Sequence, residues 1–160
     1  MTHPLNSLND LKTMMLAGNC TLTVKSVRTG VRFTYKVTKG KEKINPYTGS
    51  PYPTMYFVNL LAGPDNNSDY SPLGCLRGAN REFQTGRWCK VPPTATSYKA
   101  FAYLCNLVDK VGEGENILPV PEGLEVWHEG KCGRCGRKLT VPESIAIGIG
   151  PECLEKTVFY

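Results

Sequence analysis

The chain has 160 residues, of which 41% are hydrophobic and 21% charged, a profile that excludes disorder as the main state. No run approaches the roughly 18 consecutive apolar residues of a membrane span, and the first residues are polar where a secretory signal carries its apolar core, so the expectation is a soluble cytoplasmic protein without a membrane partner. The net charge of +5 is uneven: residues 1–110 carry 14 Lys and Arg against 6 Asp and Glu, residues 111–127 none against 4, and residues 128–160 carry 5 against 4.

In chain order, residues 7–17 place Leu8, Leu11, Met14 and Met15 at helical spacing before Gly18, which predicts a short amphipathic helix. Residues 21–27 and 31–38 alternate, and Thr29 with Gly30 between them suits a two-residue hairpin turn. With Arg28 opposite Val31, Leu22, Val24, Phe33, Tyr35 and Val37 share one face. Thr21, Thr23, Lys25, Arg32, Thr34 and Lys36 share the other. Lys39, Lys41 and Lys43 continue the basic character into an exposed loop rich in Pro and Tyr.

Residues 54–62 are almost continuously apolar and read as a central strand buried on both faces. Residues 63–69 are turn-forming, because Asp and Asn at this density bond their own backbone. A calcium loop on Asp65, Asn67 and Asp69 lacks the glycine and the terminal glutamate that such loops use. Short strands near 73–77 and 81–85 precede an amphipathic helix over 96–110. The fold expected for residues 1–110 is α+β: an antiparallel sheet with an N-terminal hairpin and one or two packing helices. Residues 111–123, rich in Gly, Pro and Glu, form a linker, and residues 124–160 a small zinc-binding module.

That last segment carries the chemistry. Seven cysteines is an odd number for a disulfide framework, and three of them follow a histidine as His128-x3-Cys132-x2-Cys135-x17-Cys153. A Cys-x2-Cys pair brings two sulfurs onto one ion when the chain turns tightly between them, and Gly133 and Gly136 permit such a knuckle. Pro151 suits the first position of a terminal helix, which places Cys153 in its opening turn. Thr140 and Glu143 have capping-box spacing for another short helix that Gly148 ends. The arrangement is treble-clef-like, with one structural Zn2+ on His128, Cys132, Cys135 and Cys153.

The 33 residues from His128 onward bury too little apolar surface to fold unaided, and a zinc ion supplies what is missing. A redox Cys-x2-Cys belongs in a βαβ setting that is not evident here. Glu129 invites comparison with zinc deaminases, but the order and spacing of donors differ from theirs. Cys20, Cys75, Cys89 and Cys105 lack paired spacing and read as small buried side chains. No phosphate-binding glycine loop or nucleophile elbow occurs, so no catalytic residue, small-molecule substrate or enzymatic activity is expected.

The run CGRCGRKLTVPESI, followed by GIGPEC, resembles a family of uncharacterised bacteriophage and prophage proteins that end in a small zinc-binding domain. The likeness makes the three cysteines the expected ligands. It implies a phage origin and a cytoplasmic setting in an infected bacterial host. The segments TGVRFTY from Thr29 and FVNLLAGPDN from Phe57 are similar to sequences that precede the zinc domain in such proteins.

The first functional expectation is nucleic-acid binding, DNA or RNA, through Lys25, Arg32, Lys36, Lys39, Lys41 and Lys43 together with Lys131, Arg134, Arg137 and Lys138 at the knuckle. Tyr47, Tyr52 and Tyr56 are candidate stacking groups. The alternative is an interaction protein that inhibits a host enzyme or an antiviral defence complex, in the manner of an anti-CRISPR inhibitor.

Overall fold

The computed structural model describes residues 3–64, 68–77, 82–112 and 116–156. Its elements in chain order are β1 (His3–Leu5), α1 (Leu8–Met15), β2 (Asn19–Ser26), β3 (Arg32–Lys39), β4 (Tyr56–Leu61), β5 (Tyr70–Arg77), β6 (Glu82–Gln84), α2 (Thr96–Val108), β7 (Leu124–His128), α3 (Pro142–Ile147) and α4 (Pro151–Lys156). Among the described residues, seven strands form one antiparallel sheet in the order β1-β7-β2-β3-β4-β5-β6. No helix among them is long and apolar enough to cross a membrane.

The alternation in β2 and β3 builds the centre of the sheet. Cys20 faces Val37, Leu22 faces Tyr35 and Lys25 faces Arg32. The connection is not the expected two-residue turn. Ser26 N–H donates to Val31 O, which leaves a four-residue loop closed by Gly30 at φ +73°. Ser26 accounts for the difference, since its Oγ accepts from Thr29 N–H and its carbonyl from Gly30 N–H. Val31 therefore opposes Ser26 instead of Arg28. A shift of two residues preserves parity, so the apolar and basic faces fall as the alternation requires.

Both longer helices cover the apolar face. Ser7 caps α1 by accepting from Asp10 N–H, and Leu8, Leu11, Met14 and Met15 are buried beneath it. On α2, Phe101 and Leu104 are fully buried. Tyr35 donates its hydroxyl proton to Ser97 O at 2.7 Å, and its ring lies 4.9 Å from that of Phe101. With the helices of the described residues on one side, β4 alternates over its first four residues: Tyr56 and Val58 are buried and Phe57 and Asn59 half-buried, while Leu60 and Leu61 are both half-buried, Leu60 against the main core. The expected burial on both faces is thus corrected to one. β4 and β5 change register between Val58 and Asn59, which oppose Gly74 and Pro72. Leu73 is the extra residue of this bulge and turns into the core.

β7 sits between β1 and β2, so the segment read as the zinc module begins inside the sheet. The chain reaches it along α1: Leu8 N–H donates to Leu118 O, Val120 N–H to Asn6 O, and Leu118 N–H to the Asn9 side chain. The main core joins the helices to the sheet, while Ala17, Cys132, Leu139, Ile149 and Cys153 form a second, smaller cluster. The calcium-loop alternative rests on Asp65 and Asn67, which lie outside the described residues.

Candidate metal centre

Three local structures bring the cysteines together. After β7, Lys131 and Lys138 pair as a bridge, Cys132 N–H donates to Arg137 O, and Gly136, at φ +78°, donates its N–H to Cys132 O. This is the knuckle that a Cys-x2-Cys pair requires. Its backbone is pressed against α1, since a Cβ on Gly133 would lie 2.7 Å from Met14 Cγ. α3 follows, but the capping box does not form. The N-cap is Val141 with no side-chain cap bond, because Pro142 opens the helix one residue later than the Thr140–Glu143 spacing requires. Gly148 ends α3 at φ +78°, and Pro151 starts α4 with Cys153 buried in its first turn.

The Sγ atoms of Cys132, Cys135 and Cys153 all lie within 4.8 Å of one another. Backbone N–H groups of Arg134 and Gly150 approach Cys132 Sγ at 3.5 and 3.4 Å, and Arg134 Nη1 is 3.8 Å from Cys153 Sγ. Burial works against ionisation of Cys132, yet the N–H groups of Cys135, Gly150 and Arg134 outweigh it and hold the thiol down to about 7. Burial pushes the Cys153 thiol up, as do its two thiol neighbours, with Arg134 acting in the opposite direction. Three sulfurs this close, served by N–H donors and a guanidinium, fit a thiophilic cation that replaces their protons. A cleft of about 410 Å³ opens beside them, and Arg134, Arg137, Lys138 and Lys156 stand on its walls.

His128 is not gathered into this group. Its ring is buried on the helix side of β7, Nδ1 accepts from Gly130 N–H at 3.0 Å, and Nε2 donates to Ile145 O. Both nitrogens are thereby engaged, and the ring stacks on His3 at 5.2 Å. Burial holds the imidazole below its ordinary range, His3 adds to that effect, and the bond to Ile145 opposes it. Strand geometry explains the separation, because β7 aims His128 at α3 while the knuckle turns away after Gly130. Among the described residues, no fourth His, Cys, Asp or Glu joins the three cysteines.

The basic residues divide into three sets. Lys25, Arg32 and Lys36 share the sheet face that the helices leave open, and Lys36 also lines a small cleft with Lys131. Lys39 stands exposed at the end of β3, and Lys41 and Lys43 are exposed on the following loop. Arg134, Arg137 and Lys138 surround the cysteines. Of the tyrosines, Tyr47 is 94% exposed and Tyr52 is exposed. Tyr56 is buried and donates its hydroxyl proton to Leu16 O, which removes it as a stacking group.

Cys20, Cys75 and Cys105 are buried, and burial pushes all three thiols up. Cys89 is half-buried and accepts from Gly86 N–H. The aromatic groups of the open face carry unequal signals in the sequence. Alternation in residues 124–128 assigns Trp127 outward, but Trp88 lies in a short irregular segment without periodicity.

Residues 124–158 match the model of DUF6011, a family of unknown function. The match begins at the first residue of β7 and includes all three clustered cysteines. No curated protein and no solved structure matches the chain.

Proposed function

We propose that this is a non-enzymatic nucleic-acid-binding protein in which Cys132, Cys135 and Cys153 hold one structural zinc ion. Soft thiolates on a short knuckle and a helix turn suit zinc in a treble-clef-like module, where the ion supplies cross-linking. The few apolar side chains around the cysteines are too small a cluster to hold α3 and α4 alone. The setting is the cytoplasm of an infected bacterium, as the likeness to phage proteins implies.

One observation carries the nucleic-acid reading: Lys36 of β3 and Lys131 of the knuckle line the same cleft, so two basic regions far apart in sequence form one surface. Along it, Lys25 and Arg32 face each other across β2 and β3, and threonines fill the rows between them. Glu125 and Glu129 are the acidic neighbours of this surface, and they leave it net positive. Such a surface attracts phosphates without reading base sequence.

Fluorescence anisotropy with random single- and double-stranded DNA and RNA at several salt concentrations tests the reading. Affinity should fall steeply with salt, and replacing both Lys36 and Lys131 by Ala should reduce the log–log salt slope by about 2. Absence of binding at low salt contradicts the reading. Capture of a host protein complex by a chain that ignores nucleic acid favours protein-directed inhibition.

A further inference from the structure

Beyond its lysines, the open sheet face carries an apolar slot that phosphate contacts do not explain. The slot, about 400 Å³ in volume, is walled by Met55, Phe57, Pro72 and Trp88, with Thr38 and Asn59 as its polar groups and Arg77 at its rim. Trp88 is 42% exposed yet held in place. Its ring meets that of Phe57 edge-on at 6.3 Å, the Arg77 guanidinium stands 5.8 Å from it, and the bare backbone of Gly86 lies beneath it. A Cβ on Gly86 would come within 2.4 Å of the indole, so glycine at that position lets the ring lie where it does.

A large aromatic side chain fixed against its neighbours while still exposed loses little entropy on meeting a flat partner. Asn59 sits directly opposite Lys36 across β3 and β4, and Thr38 faces Phe57, so the slot continues the basic rows. A mostly apolar, aromatic-walled slot with an amide inside, an arginine at its rim and a lysine one strand away combines the contacts that unpaired bases use: stacking, one polar edge and phosphate neutralisation.

We infer that the slot at Met55, Phe57 and Trp88 receives one unpaired base of a single-stranded nucleic acid, with the flanking phosphates on Lys36 and Arg77. This rests on the nucleic-acid reading above and narrows it to single strands. A duplex keeps its bases stacked and cannot fill the slot, although it still meets the lysines.

The full-length chain can be titrated with three probes of equal length and charge per strand: a mixed-sequence single strand, the same strand made abasic, and the corresponding duplex. The intact single strand should bind about tenfold more tightly than the abasic one, the discrimination that one stacked base supplies. Trp88→Ala should abolish that preference, Trp88→Phe should restore most of it, and Lys36→Ala should weaken all three probes. Equal binding of the intact and abasic strands, or an unchanged preference in Trp88→Ala, overturns the slot while leaving phosphate binding intact. No binding of any probe at low salt overturns both. A slot that instead takes an apolar peptide side chain would show as Trp88-dependent capture of a protein without a base preference, which also overturns the inference.

Discussion

At the scale of single residues, the division of labour between His128 and the cysteines has direct consequences. Cys135→Ser removes one of three clustered sulfurs and should abolish metal retention, whereas Cys105→Ser, in the main core and outside the cysteine cluster, should leave metal content unchanged. Elemental analysis of the purified variants checks both. His128→Gln should also keep its metal, because the imidazole is spent on Gly130 and Ile145.

That histidine should be felt in the pH profile instead. Its pKa in the fold lies below the unfolded value. As pH falls below about 6.5, the unfolded chain takes up a proton that the folded chain resists, and stability drops. His3 is the titratable group that faces it, and a positive charge there disfavours a second one on His128. Denaturant melts of the native chain between pH 7.5 and 5 should show stability falling with pH. The His128→Gln variant should have a flatter profile, and a slope identical to the native one contradicts the assignment.

The same scale shows why spacing alone does not bring His128 to the three cysteines. Spacing put His128 within reach of the knuckle, but reach along the chain does not fix which way a strand aims a ring. That direction follows from the pairing of β7 with β1 and β2, which links residues about a hundred or more positions apart. The three cysteines were legible because their partners are local, within a knuckle and a helix turn.

At the scale of elements, two glycines separate backbone strain from crowding. Gly49 and Gly148 both have positive φ, but a Cβ on Gly49 meets nothing within 4 Å, whereas one on Gly148 lies 2.4 Å from Met14 Sδ. Gly49→Ala should cost only the conformational penalty, ~1 kcal/mol. Gly148→Ala should cost ~1–2 kcal/mol more, since α3 must move off α1 or Met14 must repack. Chemical denaturation of both variants checks the ordering. Tyr35→Phe should cost ~1 kcal/mol by removing the bond to Ser97 that ties β3 to α2.

Helices and strands were more legible than their joints. Period and parity predicted α1, α2, the hairpin faces and β4, because each depends on residues within one turn or one pleat. The hairpin loop and the start of α3 were misread because single side chains decide them: Ser26 supplies loop bonds that favour four residues over two, and Pro142 opens a helix that Thr140 does not cap. One-sided burial of β4 was invisible for another reason. An apolar strand reads the same whether a second layer covers it or leaves Phe57 and Leu61 half-exposed.

At the scale of the whole molecule, the three-cysteine cluster is one end of a continuous structure. β7 lies within the sheet, the knuckle rests on Met14 of α1, and Asn19 N–H of β2 donates to Gly133 O at 2.6 Å. Metal removal should therefore loosen residues 130–156 while β2, β3 and β4, braced by the main core, persist. Hydrogen exchange with and without a chelator should show fast exchange confined to the C-terminal segment. Composition marked residues 111–123 as a connection, but nothing local in 124–128 tells that the strand slots between the first two strands of the chain. That placement belongs to long-range pairing, and so does the joining of Lys36 to Lys131.

Native mass spectrometry of the full-length protein, alongside Cys135→Ser and His128→Gln, bears most directly on the metal centre. One zinc per chain is expected in the native protein and in His128→Gln, and none in Cys135→Ser. A native chain that carries no metal while residues 130–156 stay protected from exchange would contradict it, as would a His128→Gln variant that loses its ion.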